Sequence, residues 1–128
     1  MVDMASSLTR WGRRIGVPLF WFTVGLVYVL AIMPSAEAPD LGAGDKVNHV
    51  AAFMTLTWLG RVAYGPRSSW QLPVLLSLFG ALIEITQALP VVHRDASFWD
   101  WAADTLAIAT VLPFTIAIER RIGQQAIV

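Results

Sequence analysis

The sequence of 128 residues has no cysteine and little charge. The absence of cysteine excludes disulfide frameworks and thiolate metal sites. Charged residues make up 14% of the chain, roughly half of the ~25% found in soluble domains, while hydrophobic residues reach 56% and the mean hydropathy is +0.61. The formal net charge is +0, so no basic field exists to hold phosphate backbones. This composition argues against a soluble enzyme domain, a disordered tail and a nucleic-acid binder. It predicts a small integral protein of the cell membrane.

Four apolar stretches meet the length of ~20 residues that a helix needs to cross a bilayer. They extend over about residues 15–33, 47–64, 71–89 and 98–118, and the loops between them are rich in Pro, Gly, Ser and charge. Because the loops are short, neighbouring helices must be antiparallel. The sequence therefore predicts an all-α, four-helix membrane bundle over residues 15–120, with a basic tail at 1–14 and a second tail at 121–128.

The lysines and arginines predict the orientation of this bundle. Seven of them lie in the two tails and near the second loop, whereas two lie near the first and third loops. Both termini are therefore expected in the cytoplasm, with the first and third loops outside. Trp11 and Trp70 are expected at the inner interface, and Trp99 and Trp101 at the outer one. Arg61, near the inner end of its helix, is expected to extend to the interface.

A secretory signal peptide is the alternative interpretation of the first span. Basic residues precede this span, and the segment Ala36-Glu37-Ala38 resembles a small-residue cleavage site. However, the apolar run is longer than the ~7–15 residues of a typical signal peptide. Cleavage after Ala38 would also leave Pro39 as the first residue. A retained span is therefore favoured.

Several polar and charged residues lie inside or beside the predicted spans, although one charge at the bilayer centre costs about 2.5–3.5 kcal/mol. Measured along the helices, they lie within about 10 Å of the outer face. Their spacing of three or four residues places them on one face of each of three helices. We therefore expect a shared polar layer in the outer leaflet that binds a ligand. Its predicted residues are Asp45, Lys46, His49, Glu84, Gln87, Arg94, Asp100 and Asp104.

The three deep carboxylates of this set, Glu84, Asp100 and Asp104, repel one another when ionised. A proton, a bound cation or neighbouring basic side chains must balance them. Arg94 is expected to clamp a carboxylate or a phosphate, because its planar guanidinium binds two oxygens. The same carboxylates and His49 also offer ligands for a divalent metal. No metalloprotease, serine-hydrolase or phosphate-loop motif accompanies them, so no cofactor is predicted.

The order of these residues resembles the VanZ-like family of small membrane proteins. The matching pieces are Asp45-Lys46-x-x-His49-x-x-x-Phe53, Glu84-x-x-Gln87 and Arg94-x-Ala96-Ser97-x-x-Asp100-x-x-x-Asp104. The family is named for a member associated with resistance to the glycopeptide antibiotic teicoplanin, and the resemblance implies no defined biochemical activity. The chain departs from the family at Asp104 and Ala107, where Asn and Gly are usual.

Three functions agree with this pattern. In the first, the polar layer binds the head group of a membrane lipid or a lipid-linked envelope precursor, with Arg94, Lys46 and His49 contacting the anion and Gln87 orienting them. In the second, the layer is an intramembrane enzyme site, with or without a metal. In the third, the same side chains only lock the helices together. Interhelical polar contacts average only ~0.6 kcal/mol, so binding is favoured over a purely structural role and over an enzyme. The sequence also allows the chain to form a homo-oligomer.

Overall fold

The computed structural model describes residues 4–38 and 44–125. In these ranges the chain is all-α, without strands. Its four helices are α1 (Met4–Ile32), α2 (Asp45–Tyr64), α3 (Gln71–Gln87) and α4 (Phe98–Gln125). Short 3-10 helices occupy Gly65–Ser68 and Pro90–Val92 in the second and third connections. The expected number and order of helices are confirmed.

The helix bounds differ from the predicted spans at both ends of the chain. α1 begins at Met4 rather than near residue 15, and α4 continues to Gln125 rather than ending near residue 118. The residues expected to form tails are therefore largely helical in the described part of the chain. Hydropathy marks only the apolar section of a helix, whereas the backbone hydrogen bonds continue through the basic residues that follow or precede it.

Successive helices are antiparallel. α2 packs most extensively against α1 and α4, and α3 packs mainly against α4. α1 and α3 end where α2 and α4 begin, and we call this end of the bundle the polar end. The opposite end, where α2 ends and α4 passes Glu119 and Arg120, is called the basic end.

Two glycines allow the helices to approach closely. A Cβ atom at Gly16 of α1 would lie 3.2 Å from the Cα of Ala63 in α2. A Cβ atom at Gly60 of α2 would lie 2.6 Å from a methyl group of Leu72 in α3. Small residues at such contacts are typical of packed membrane helices, because they let backbones and bulky neighbours fill the space between helices.

Large apolar side chains cover the outside of the bundle. Phe22 of α1, Leu75 and Ile85 of α3, and Leu106 of α4 are each more than 60% exposed. Two helical segments, Arg10–Ile32 and Phe98–Gln124, are long and apolar enough to cross a membrane, and only 17% and 22% of their most apolar windows are buried. α3 is apolar but has 17 residues. A helix at the core of a soluble protein would bury most of such a surface.

Candidate functional site

Two ion pairs connect the beginning of α2 to the beginning of α4 at the polar end. Arg94, in the loop before α4, donates a hydrogen bond of 3.0 Å to Asp45, and Lys46 lies 3.3 Å from Asp100. The side chains of Asp45 and Lys46 are 53% and 58% exposed. Their partners Arg94 and Asp100 are only 7% and 15% exposed, so each pair joins one exposed charge to one largely buried charge and fixes its position.

A buried pair lies one helical turn deeper. His49 follows Asp45 by four residues and Asp104 follows Asp100 by four, so both side chains point into the same interface as the outer pairs. His49 Nδ1 lies 3.3 Å from Asp104 Oδ2, and the two side chains are 7% and 0% exposed. The second oxygen, Asp104 Oδ1, is buried and has no hydrogen-bond partner in the described part of the chain.

α3 adds a third acidic side chain to this layer. The Oε2 atom of Glu84 accepts a hydrogen bond of 2.7 Å from the backbone N–H of Ser97, the residue immediately before α4. A carboxylate is favourable there because the first N–H groups of a helix lack backbone partners and carry a partial positive charge. Glu84 Oε1 is buried without a partner among the described residues. Ionisable residues from α2, α3 and α4 thus gather at one end of the bundle.

Gly80 of α3 lies beside the carboxylate of Asp104. A Cβ atom at position 80 would lie 3.6 Å from Asp104 Oδ2, in ordinary van der Waals contact. Close to it, Ser77 Oγ and Thr105 Oγ1 lie 2.9 Å apart and form a hydrogen bond between the two helices. The face of α3 that carries Ser77 and Gly80 therefore packs against the face of α4 that carries Asp104 and Thr105.

Gln87 does not join the layer. Its Nε2 atom donates a hydrogen bond of 2.9 Å to the carbonyl of Ala31, and its side chain is 2% exposed. Ala31 belongs to the last turn of α1, where carbonyl groups have no partner within their own helix. The structure gives Gln87 the role of a bridge to α1, because α1 rather than the ion-pair layer packs against this side of α3. This placement does not agree with the expected role of orienting Arg94, Lys46 and His49.

A cavity of about 390 Å³ opens between α1 and α2 at the polar end. Its charged and amide-bearing side is formed by Asp45, Asn48, His49 and Arg94, and Thr23 and Thr55 also line it. Its apolar wall is formed mainly by residues of both helices, namely Val27, Leu30, Ala31, Ala52 and Phe53. Neither Asn48 nor the contribution of α1 was expected from the sequence. Asn48 carried a signal, since it is a polar residue inside a predicted span, but α1 shows no polar face that would have indicated a cavity.

The expected metal ligands are used differently. Among residues 4–38 and 44–125, no three His, Asp or Glu side chains come together in a way that could hold a metal ion. Asp100 pairs with Lys46, Glu84 accepts from Ser97, and His49 pairs with Asp104. The candidate set is therefore divided among separate partners.

The expectation that Arg61 extends to the interface is wrong. Arg61 does not extend to the surface: it is 2% exposed and its guanidinium donates to Glu119 and, at 3.1 Å, to Ser69. Glu119 on α4 supplies the partner, which a hydropathy pattern cannot reveal. Trp101 is half-buried, and its Nε1 donates to the carbonyl of Ser77 at 3.0 Å, so it packs between helices. The other three tryptophans expected at interfaces are 62% to 72% exposed.

In comparisons with known proteins, no family model, no curated protein and no solved structure matches this chain. The functional argument therefore depends on the contacts of the polar end. These contacts combine a layer of paired charges with a neighbouring cavity that is polar at one side and apolar at the other.

Proposed function

We propose that this chain is a VanZ-like, multi-pass protein of the cell membrane whose polar end faces outward and binds the head group of a lipid or lipid-linked envelope precursor. The observation that carries the proposal is the cavity between α1 and α2, which joins a charged part to an apolar wall. An amphiphile needs both surfaces in one site, because its head group is polar and its chain is not.

Insertion of all four helices is supported by the exposed apolar surface. α1 and α4 present most of their apolar residues outward, and α3 and α2 carry exposed Leu75, Ile85, Met54 and Val62. α3 rises about 25 Å over its 17 residues, somewhat less than a hydrocarbon core of ~30 Å. A short helix of this kind is accommodated by local thinning of the bilayer or by its longer neighbours. With the basic residues inside, the polar end lies at the external face.

The contacts of α1 favour a retained helix over a cleaved signal peptide. The carbonyl of Ala31 in α1 accepts a hydrogen bond from Gln87 in α3. The hydroxyl of Tyr28 in α1 lies 3.1 Å from the hydroxyl of Thr86 in α3. Removal of α1 after Ala38 would leave buried Gln87 without its partner and would remove one wall of the cavity. An unsatisfied buried amide costs about 1–3 kcal/mol.

The pairing of charges in the layer limits how an anionic head group could bind. The three basic side chains of the layer are already paired with carboxylates, so an anion has to replace one of them. Of the paired residues that line the cavity, Asp45 is the most exposed, and its partner Arg94 can bind two phosphate oxygens at once. We therefore infer that a phosphate displaces Asp45 from Arg94, while Asn48 contributes a neutral hydrogen bond.

The resemblance to the VanZ-like family extends the proposal to the cell envelope. A protein that holds a lipid-linked precursor at the external face could change how much of it a glycopeptide such as teicoplanin reaches. The resemblance supports this link through the ordered residues from Asp45 to Asp104. Of those residues, Asp45, His49 and Arg94 line the cavity between α1 and α2.

The test is to purify the full chain in mild detergent and identify the lipids that remain bound by native mass spectrometry. Ala52→Trp fills the apolar wall, Arg94→Gln removes the clamp, and Asp95→Asn changes the charge of the exposed neighbour of Arg94 as a matched control. We expect the first two variants to lose bound lipid and the control to retain it.

Teicoplanin susceptibility of cells that express each variant provides the second measurement, with the amount of inserted protein held equal. We expect Arg94→Gln to remove any protection that the wild-type chain gives, and Asp95→Asn to preserve it. Unchanged lipid retention in stably folded Ala52→Trp and Arg94→Gln proteins would contradict the proposal, and the polar layer would then be a structural network.

A further inference from the structure

A second cavity lies against α4 toward the basic end. It has a volume of about 690 Å³ and is lined by Pro73 in the first turn of α3 and by one face of α4 from Thr105 to Arg120. Apart from Thr105 and Arg120, the lining residues are Ile, Leu, Ala and Pro. The cavity is therefore an apolar groove with a guanidinium at one end.

The different lengths of α3 and α4 create this groove. The hydrogen bond between Ser77 and Thr105 sets the register of the two antiparallel helices, which places Pro73 roughly level with Ala109. α3 begins two residues earlier, at Gln71, which lies roughly level with Val111 of α4, whereas α4 continues along the groove to Arg120. The distance from Val111 to Arg120 is about 14 Å along the helix, close to half of the ~30 Å hydrocarbon core. The part of the groove that α3 does not cover thus has about the depth of one leaflet.

The charge at the end of the groove has no ion-pair partner among the described residues. Glu119 is the only acidic residue after Asp104 in the sequence, and it is paired with buried Arg61. Neither Arg120 nor Arg121 takes part in an ion pair in the described part of the chain. Of these two arginines, Arg120 alone lines the groove.

We propose that this groove binds one anionic phospholipid of the cytoplasmic leaflet, with an acyl chain along α4 and its phosphate at Arg120. An unpaired guanidinium favours a head group with net negative charge, because the ammonium of a zwitterionic lipid competes for the same phosphate. The apolar lining accommodates the chain where α3 does not cover α4. This proposal depends on membrane insertion with the basic end inside, but not on the cavity at the polar end.

The experiment compares two lipids that differ only in their head group. The full chain, delipidated in neutral detergent, is titrated with phosphatidylglycerol or phosphatidylcholine of identical acyl chains, and bound lipid is measured by native mass spectrometry. We expect about fivefold tighter binding of phosphatidylglycerol, which corresponds to about 1 kcal/mol at 1.4 kcal/mol per tenfold.

Three variants locate the site. Arg120→Gln should remove the preference for phosphatidylglycerol, whereas Arg121→Gln, which changes the neighbouring charge outside the groove, should keep it. Ala117→Phe should weaken binding of both lipids, because the ring occupies the groove from an exposed position.

Equal binding of the two lipids by the wild-type chain would overturn the proposal. Equal losses from Arg120→Gln and Arg121→Gln would also overturn it, since they would indicate diffuse surface charge. The titrations are repeated with Ala52→Trp, which blocks the cavity at the polar end. In that background the preference should persist and Arg120→Gln should still remove it, so failures of the two sites are distinguishable.

Discussion

Substitution of Glu119 by glutamine tests the role of the buried ion pair at the basic end. The side chain keeps its shape but loses its charge, so the guanidinium of Arg61, which is 2% exposed, loses the carboxylate that compensates it. Breaking a buried pair by removing one partner typically costs 3–5 kcal/mol. Because Glu119 is 29% exposed and Ser69 still accepts one hydrogen bond, we expect a smaller loss of about 2–3 kcal/mol.

The assay is reversible unfolding of the purified chain in detergent, followed by helical circular dichroism. The double variant Arg61→Leu/Glu119→Leu should be destabilised by less than the sum of its two single variants, because removing both charges leaves neither one buried alone. Arg121→Gln, at an exposed position without an ion pair among the described residues, should change the free energy of unfolding by less than about 0.5 kcal/mol. A double variant whose loss equals that sum would refute the reasoning.

Three further predictions concern the contacts between helices. Gly16→Ala should lower the free energy of unfolding by about 1–3 kcal/mol, since its Cβ would lie 3.2 Å from the backbone Cα of Ala63, whereas Gly25→Ala, with no atom within 4 Å, should cost nothing. Gln87→Leu should cost about 1–2 kcal/mol in the same assay through the lost hydrogen bond to α1, and an unchanged stability would contradict that role. Cysteines at positions 77 and 105, where the hydroxyls of Ser77 and Thr105 lie 2.9 Å apart, should form an intramolecular disulfide under mild oxidation. Because the natural chain has no cysteine, a gel shift reports this bond alone, and its absence would refute the register of α3 and α4.

The sequence was sufficient to predict the helices and much of the polar layer. Apolar runs of helical length mark the elements, and the spacing of four between Asp45 and His49, and between Asp100 and Asp104, places each pair on one face. The depth of each residue then follows from the rise per residue. His49 and Asp104 meet in the structure because these two faces are opposed.

The partners of individual side chains could not be predicted in the same way. Gln87 follows Glu84 by three residues, a spacing that predicts a place on the same face and in the same layer. It donates instead to the carbonyl of Ala31, because α1 packs on that side of α3. Arg61 is buried because Glu119, distant in sequence, lies beside it on α4. The pattern within one helix fixes which residues share a face, but not which neighbouring helix that face contacts.

The cavity between α1 and α2 was missed for a related reason. α1 contributes aliphatic residues such as Val27 and Leu30, whose pattern does not differ from that of a lipid-facing surface. These side chains form one wall of the cavity because α1 packs beside the part of α2 that carries His49. That packing cannot be predicted from the sequence of α1.

The central claim is that the charged residues of three helices gather at the external end of a membrane-spanning bundle. Labelling of single cysteines in intact cells with a membrane-impermeant maleimide tests it most directly. Asp95→Cys lies in the loop at the polar end and Gln124→Cys lies near the end of α4, and both positions are exposed. We predict that Asp95→Cys is labelled in intact cells and that Gln124→Cys is labelled only after the membrane is permeabilised. Labelling of both positions in intact cells, or of Gln124→Cys alone, would contradict the account.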